Sequence, residues 1–462
     1  MRARFSRFSN NGPLLIMPLV VTVFLLAYLP QQIGPGSWLS FLDGRAVSHG
    51  LPHRNVLTVL GYGKGWVDQQ WLAHLTLYRL FILGGLRLVL LLHVGIFALA
   101  LAIALLAARR LGGSVHATLY ISFLAVLSMA GVWQLRAQSL VLPLFTGLVY
   151  LLVRDCRHPC WQVLWVWPIL VLWANLHGSV ALACALVVLR GLTLLRARSY
   201  AVGAMLVASP AAVFASPYAP GLFGYYRHML VGGHLATLAV EWRPTYDFPL
   251  LALPYAALVL VTAYVLYRAR RRVSLFEALA LLLLEAAGVY AVRNTLWAAL
   301  TALVILPALL SRSDAKAHVR WLLIAGVLLP LVAFQAVFTA AHSSSWYEAA
   351  FPPAAAHAVA AAATAHPSYV VLTDTPYSDW LLFTQPRLAG RVVYDTSIEF
   401  LTLPELKQVD TWLNGRPGWQ RAVPPQAILV LDRSRLCGRL PWIVAHGQRI
   451  YSDKQLLVFL LR

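Results

Sequence analysis

Long apolar runs separated by short polar stretches fill the first three quarters of the chain. They lie at 14–30, 86–108, 116–131, 138–153, 161–176, 178–195, 200–217, 250–267, 275–292, 295–310 and 319–339. A helix needs about 17–25 mainly apolar residues to cross a hydrocarbon core of roughly 30 Å, so the pattern predicts about eleven membrane spans. From about Ser343 the rhythm changes. Alternating and helical patterns there predict helix 354–365, strand 369–373, helix 378–383, strand 391–394, helix 404–413, strand 427–431 and a closing strand pair within 449–461. The expected fold is an α-helical polytopic membrane region over residues 1–342, followed by an extracytoplasmic α/β domain over residues 343–462.

Composition agrees with a membrane protein. Apolar residues make up 60% of the 462-residue chain, charged residues only 12%, and the mean hydropathy is +0.69. A soluble domain carries about twice that charged fraction. The first run follows Arg2, Arg4 and Arg7, and the sequence AYLPQ at its end offers no small-x-small cleavage site, so it reads as a retained anchor. With the N-terminus in the cytoplasm, every inner loop is basic. These loops hold Arg109 and Arg110, Arg154 and Arg157, Arg190, Arg196 and Arg198, Arg268 and Arg270 to Arg272, then Arg312, Lys316 and Arg320. That bias is the positive-inside pattern of a multi-pass membrane protein, and it accounts for the formal charge of +20 without a nucleic-acid partner. An odd number of spans leaves the C-terminal domain outside.

This topology puts a chemically rich segment on the outer face. The loop at about 31–83 is long for a connector, since structureless loops beyond about 15 residues are uncommon. It begins with LDGRAVSHGLPHRN, which carries Asp43, Arg45, His49, His53 and Arg54. It continues into WVDQQWLAHLTLYRLF, whose pattern predicts an amphipathic helix at the interface with Trp66 and Trp71 at headgroup level. Asp68 and Gln69 lie in the same stretch. Arg136, His177, Glu241, Arg243 and Arg293 also map to outer ends of spans. An arginine or aspartate at mid-membrane costs about 2.5–3.5 kcal/mol on insertion scales, so polar groups gathered at one face suggest a lined cavity.

Each of these residues also has a plainer reading. Asp43 suits a helix cap or a turn before Gly44, and Asp68 suits a cap. His177 before Gly178 suits a helix end, and Arg136, Arg243 and Arg293 suit headgroup anchors. Metal binding finds little support. His49 and His53 have an HxxxH spacing, but Gly50 and Pro52 between them oppose the helix that would align them. Cys156, His158 and Cys160 lack a fourth ligand. No cofactor motif is present, and no Gly-rich phosphate loop precedes a C-terminal helix.

The arrangement of an anchor, a long outer loop with an acid near its start, many further spans and a C-terminal outer domain resembles the C-type (GT-C) glycosyltransferase superfamily. The segments LDGRAVSHGLPHRNVLT, GWVDQQWLAHL, LRAQSL, LWANLHGS, EWRP, AVRN, YSDWLL and LAGRVVYDTSIEFLT are similar to those of a bacterial, mainly actinobacterial, group of multispan proteins with that architecture. The resemblance implies a membrane glycosyltransferase using a polyprenyl-phosphate-linked sugar and an unidentified glycan, lipid or protein acceptor. The superfamily's first-loop acid falls on Asp43. Gly44 follows where some members carry a second acid.

The residues suit that chemistry. A carboxylate within reach of an acceptor hydroxyl serves as base, which favours Asp43, with Asp68 next. Arg136, Arg243 and Arg293, with His177, Glu241, His49 and Gln69 beside them, would hold the phosphate and sugar. A guanidinium binds such an anion bidentately. Trp66 offers a stacking face. A lipid-linked-sugar transporter or flippase, or a non-catalytic scaffold of envelope biogenesis, are the other readings. The transporter predicts repeated halves, and none are evident.

Overall fold

The computed structural model describes residues 12–129, 133–231, 240–310 and 320–461. Arg2, Arg4, Arg7, Arg312 and Lys316, and parts of the runs at 116–131 and 319–339, lie outside the described residues. The helices of the apolar region are α1 (Ile16–Ala27), α2 (Pro35–Ser48), α3 (Trp71–Arg110), α4 (Val115–Ser128), α5 (Leu142–Arg157), α6 (Val166–Ala174), α7 (Val180–Arg196), α8 (Tyr200–Val207), α9 (Ala219–Val231), α10 (Pro249–Arg268), α11 (Leu275–Tyr290), α12 (Thr295–Leu310) and α13 (Arg320–Ala341). Helix occupies every predicted apolar run. Among the described residues, four stretches are long and apolar enough to cross a membrane unaided: Trp71–Arg110, Ala137–Arg157, Pro249–Arg268 and Val292–Leu310. The run at 200–217 is not one straight helix. Pro210 and Pro217 interrupt it, and the chain bends by 104° between Tyr200–Phe214 and Ala219–Arg227.

Two packing devices set the frame. α12 runs through the middle of the bundle with nearly every side chain buried, and Trp297 on it packs against Phe145 and Trp173 at ring-centroid distances of 4.8 and 6.0 Å. α3 is two helices joined across a kink at Gly84 and Gly85, the latter with a φ of 62° that only glycine adopts readily. The break falls where the predicted outer loop ends and the span at 86–108 begins. The bundle's ends are chemically sorted. At one end Arg157 reaches the Leu111 carbonyl and Glu277, Arg190 pairs with Asp155 at 2.6 Å, and Arg272 caps the Leu309 carbonyl. The polar residues considered as a site gather at the other end.

After a helical turn at Ser344–Tyr347 come α14 (Pro353–Ala365), β1 (Val370–Thr373), α15 (Thr375–Thr384), α16 (Leu403–Leu413), β2 (Ala427–Asp432), α17 (Leu440–His446), β3 (Gly447–Ser452) and β4 (Leu456–Leu461). The sheet order is β1-β2-β4-β3, with β1 and β2 parallel and the other pairs antiparallel. Period-two alternation sends Val371, Ile428, Val430 and Val458 to one face and Leu372, Leu429, Leu431 and Phe459 to the other. The first face joins a continuous apolar core with the helix bundle. The predicted strand at 391–394 is shorter than expected: Val392 makes single bridges to Val371 and to Thr58. Through it, residues 57–60 of the long first loop join the sheet edge. Val59 N–H donates to the Val392 carbonyl at 2.8 Å, Leu60 N–H to Val393 at 3.0 Å, and Gly390 N–H to Leu57 at 2.8 Å.

Loop 31–83 is therefore folded. α2 crosses α3 so closely that a Cβ on Gly44 would sit 2.1 Å from the His74 carbonyl oxygen and 2.5 Å from Tyr78 Cβ. Neither atom belongs to a flexible side-chain tip, so Gly44→Ala should force the helices apart, at a cost of about 1–3 kcal/mol or more. The expected readout is a lower unfolding temperature in detergent. Gly95→Ala, whose Cβ would meet nothing within 4 Å, should leave it unchanged or raised.

Candidate functional site

Asp43 lies inside α2, where the sequence suggested a loop or turn. The helix starts at Pro35, with Gly34 N–H donating to Ser37 Oγ at 3.1 Å, and carries Asp43 two turns inward. It is 4% exposed and accepts no hydrogen bond among the described residues, so it caps nothing. His74 Nδ1 lies 3.7 Å from its Oδ2. Asp68 closes a turn rather than capping α3: its Oδ1 accepts from Gln70 N–H at 3.0 Å just ahead of the helix, and its Oδ2 lies 3.0 Å from His74 Nδ1. His74, one turn into α3, thus stands between two buried carboxyl groups.

The C-terminal segment completes this acidic pocket. Asp379 on α15, Asp395 and Glu399 are close enough to Asp43 to interact electrostatically. Burial, then Asp68, Asp395, Asp379 and Glu399, holds the Asp43 carboxyl well above the ordinary carboxylate range. Burial likewise raises Asp379, pushes Asp395 up to about 6 against hydrogen bonds from Ser397, and pushes Glu399 to about 7. Among the described residues no lysine or arginine forms an ion pair with any of these five acids.

A basic cluster lies further along. Gln134 and Arg136 pack on the first turn of α2: Ser37 Oγ donates to the Leu135 carbonyl at 2.8 Å, and a Cβ on Gly36 would touch Arg136 Cγ at 3.5 Å. Gly36 and Asp43 are seven residues apart, about 10 Å along a helix. Arg136 and Arg293 both pair with Glu241, the latter at 3.0 Å, and Arg293 stacks over Trp242 at 4.5 Å. His177 links the two clusters. It is buried, its Nδ1 accepts from Ser179 N–H at 3.0 Å, and burial followed by Arg293, His74 and Arg136 pushes its pKa well below the usual imidazole value. Gly178 beside it packs against the buried Gln69, and Asn175 accepts from Trp71 Nε1 at 2.7 Å.

Several expected members stand elsewhere. Arg243 does not converge with the other arginines: its side chain is 51% exposed and pairs with Asp247 at 2.8 Å, the next turn of its own loop. His49 ends α2, its Nδ1 2.8 Å from the Arg45 carbonyl, in an exposed position. Trp66 is buried against Phe400 rather than at a headgroup layer, because the C-terminal segment covers it. His74, Asp379, Asp395 and Glu399 were missed. Their motifs, GWVDQQWLAH, YSDWLL and YDTSIEF, carried the signal, but only folding joins them.

Because Asp43, Asp379, Asp395 and Glu399 hold protons more tightly folded than unfolded, the folded protein binds more protons between about pH 4, where free carboxyls titrate, and about pH 7. Stability from this pocket is therefore greatest below that window and declines as pH rises through it. In chelator, the unfolding temperature of the wild type should fall more steeply from pH 5 to 8 than that of Asp395→Asn or Glu399→Gln. Equal slopes would contradict the buried arrangement.

No protein-family model matches the chain, and no curated protein matches its sequence. Among solved structures, ArnT from Cupriavidus metallidurans, crystallised bound to undecaprenyl phosphate, is similar with a TM-score of 0.50. The match covers 96% of this chain and 97% of that one at 14% sequence identity. The shared property is the fold.

Proposed function

We propose that this protein is a membrane glycosyltransferase that moves a sugar from a polyprenyl-phosphate-linked donor to an acceptor at the outer membrane face. One observation carries the reading. On a GT-C fold, the buried Asp43 carboxyl group, which accepts no hydrogen bond among the described residues, lies about two helical turns along α2 from Gly36, where the half-buried Arg136 packs and shares Glu241 with Arg293, and the buried His177 is subject to the charges of Arg293, His74 and Arg136. That separation suits a sugar whose anomeric carbon faces the acid while its phosphate meets the arginines. The ArnT structure was solved with undecaprenyl phosphate, which fits the same donor class.

In this reaction the acceptor hydroxyl attacks the anomeric carbon, the bond to the lipid phosphate breaks, and the hydroxyl proton passes to Asp43. Asp43 is the preferred base because it accepts no other hydrogen bond among the described residues; Asp68 is occupied by Gln70 and His74. The departing lipid phosphate gathers negative charge, which Arg136 and Arg293 stabilise through the N–H groups that Glu241 leaves unused. Glu241 keeps two cations side by side before substrate arrives, and His177, held neutral, adds no further repulsion. Arg243, paired with Asp247 on the exposed side, is left out of the phosphate site.

We also place the N-terminus in the cytoplasm and the C-terminal segment, residues 343–462, outside. The arginines that brace one end of the bundle are those of the predicted inner loops. A reporter fused at the C-terminus should be active only when outside the cytoplasm; cytoplasmic activity would invert the assignment.

Asp43→Asn keeps the side chain's size and removes the proton acceptor. Transfer from a polyprenyl-phosphate sugar in lipid extract should drop by roughly 10²–10⁴-fold while the purified protein stays folded. Full turnover in that variant would move the base to Asp68. If no polyprenyl-phosphate sugar turns over with either protein and Asp43→Asn complements a deletion strain, a scaffold or transport role replaces this one.

A further inference from the structure

The transfer chemistry leaves two neighbouring polar atoms unused. Gln69 is 3% exposed, and its Oε1 has no hydrogen-bond partner among the described residues. A buried amide carbonyl without a partner is costly and calls for a bound group. The amide lies against Gly178, where a Cβ would stand 3.2 Å from Gln69 Nε2 and 3.4 Å from its Oε1. The two segments are locked together beside this contact. Leu72 N–H donates to the Asn175 carbonyl at 3.1 Å, and Trp71 Nε1 to Asn175 Oδ1 at 2.7 Å. Asn175 in turn donates to the Val171 and Ala215 carbonyls, both at 2.8 Å.

His177, next to Gly178, supplies the second atom, and its neighbours fix which ring nitrogen carries the proton. Ser179 N–H can only donate, and it lies 3.0 Å from Nδ1, so Nδ1 is the acceptor. Ser179 Oγ stands 2.7 Å from the same nitrogen and accepts from Trp173 Nε1 at 3.1 Å, which turns its own proton toward Nδ1. Trp173 is wedged between Phe145 and Trp297. The imidazole is therefore neutral with its proton on Nε2. His177 is buried, and among the described residues nothing accepts from Nε2. A bare acceptor and a bare donor thus belong to residues that meet at Gly178. A hydroxyl group satisfies both, because it accepts through its oxygen and donates through its hydrogen; a carboxylate or an ammonium satisfies only one.

We propose that Gln69 and His177 form a subsite that reads one hydroxyl group of the sugar: His177 Nε2–H donates to the hydroxyl oxygen, and the hydroxyl donates to Gln69 Oε1. The inference rests on the transferase reading for its ligand, a sugar carried on polyprenyl phosphate, and adds that one free hydroxyl of that sugar is required. Asp68 precedes Gln69 and holds His74 beside Asp43, so a sugar seated here adjoins the proposed base. Discrimination is strong in such a site, because a ligand lacking the hydroxyl leaves two buried polar groups unpaired at once.

The test measures binding by the full-length protein in detergent. The probes are polyprenyl phosphate alone and polyprenyl phosphate carrying mannose, glucose, galactose or arabinose, then the monodeoxy and mono-O-methyl analogues of the sugar that binds tightest. The wild type should hold that sugar lipid more tightly than the bare lipid phosphate. Its deoxy and O-methyl analogues at one carbon should bind about 10-fold or more weakly. Gln69→Met and His177→Phe should each weaken the parent sugar to a similar extent and bind it no better than that deoxy analogue. His177→Gln, whose amide nitrogen can reach the Nε2 position, should restore part of the preference, which a merely structural histidine would not do. Should Gln69→Met fail to fold, Gly178→Ala, which pushes the Gln69 amide aside without removing a polar atom, should erase the same preference. Wild-type binding that ignores the sugar would overturn the proposal, since the pair would then hold only water. A deoxy preference that survives in both Gln69→Met and His177→Phe would overturn it too. Sugar-selective binding without turnover in lipid extract would instead sink the transferase reading and leave this subsite standing.

Discussion

The backbone pairing of residues 57–60 with residues 390–393 closes the edge of the C-terminal sheet, and the geometry of the acidic pocket depends on it. An uncovered sheet edge is open to pairing with other chains. Here the first loop occupies it. Side chains reinforce the joint: Arg45 donates to the Leu382 and Phe383 carbonyls at 2.9 and 2.6 Å, near the end of α15, and Lys64 pairs with Glu405 at 2.8 Å. Trp38, Phe41 and Phe81 pack against Phe383, with ring centroids 5.2–5.9 Å apart. The partly exposed Lys64–Glu405 pair contributes little by itself; burial of the aromatic rings contributes more. With that joint made, α15 and the chain through Glu399 have only one place to present their acids.

The length of α2 explains why the acids and arginines do not simply neutralise each other. Asp43 and Arg136 attach to opposite ends of α2, and a rigid helix holds them apart. A direct buried pair would have been easier to stabilise, but it would have left neither charge available to a ligand. Glu241 supplies the arginines with a counter-charge from a different loop, while burial followed by Arg293 holds the His177 pKa well below the usual imidazole value. Stored electrostatic strain of this kind is common where groups must act on something bound.

Much of this architecture was legible in the sequence because lipid imposes a simple rule. Every buried backbone group must be paired within the segment, so apolar runs read as helices, and helix is found in each predicted run among the described residues. The C-terminal elements were legible for a related reason: alternation in 427–431 and helical spacing in 354–365 are local signals. What could not be read was where non-local segments meet. Arg243 and Arg293 look equivalent on paper, yet Asp247, four residues on, takes the first, and Glu241 takes the second. Asp43 looked like a turn residue because Gly44 follows it. That glycine serves the crossing with α3 instead, a requirement set by a helix about thirty residues away in sequence.

The glycine also shows why Asp43 and His74 are partners at all. Close approach at Gly44 brings the α2 backbone against the His74 carbonyl, so the residue beside that glycine necessarily faces the first turns of α3. Asp68, fixed ahead of α3 by its bond to Gln70, then reaches His74 from the other side. A second acid at position 44 would have destroyed this contact by steric clash. The further carboxyl groups come instead from the C-terminal segment, which makes the pocket conditional on the sheet-edge joint. The geometry of the acidic cluster and the docking of the C-terminal segment are therefore one structural property, since loosening the joint would withdraw Asp379, Asp395 and Glu399 from Asp43 together.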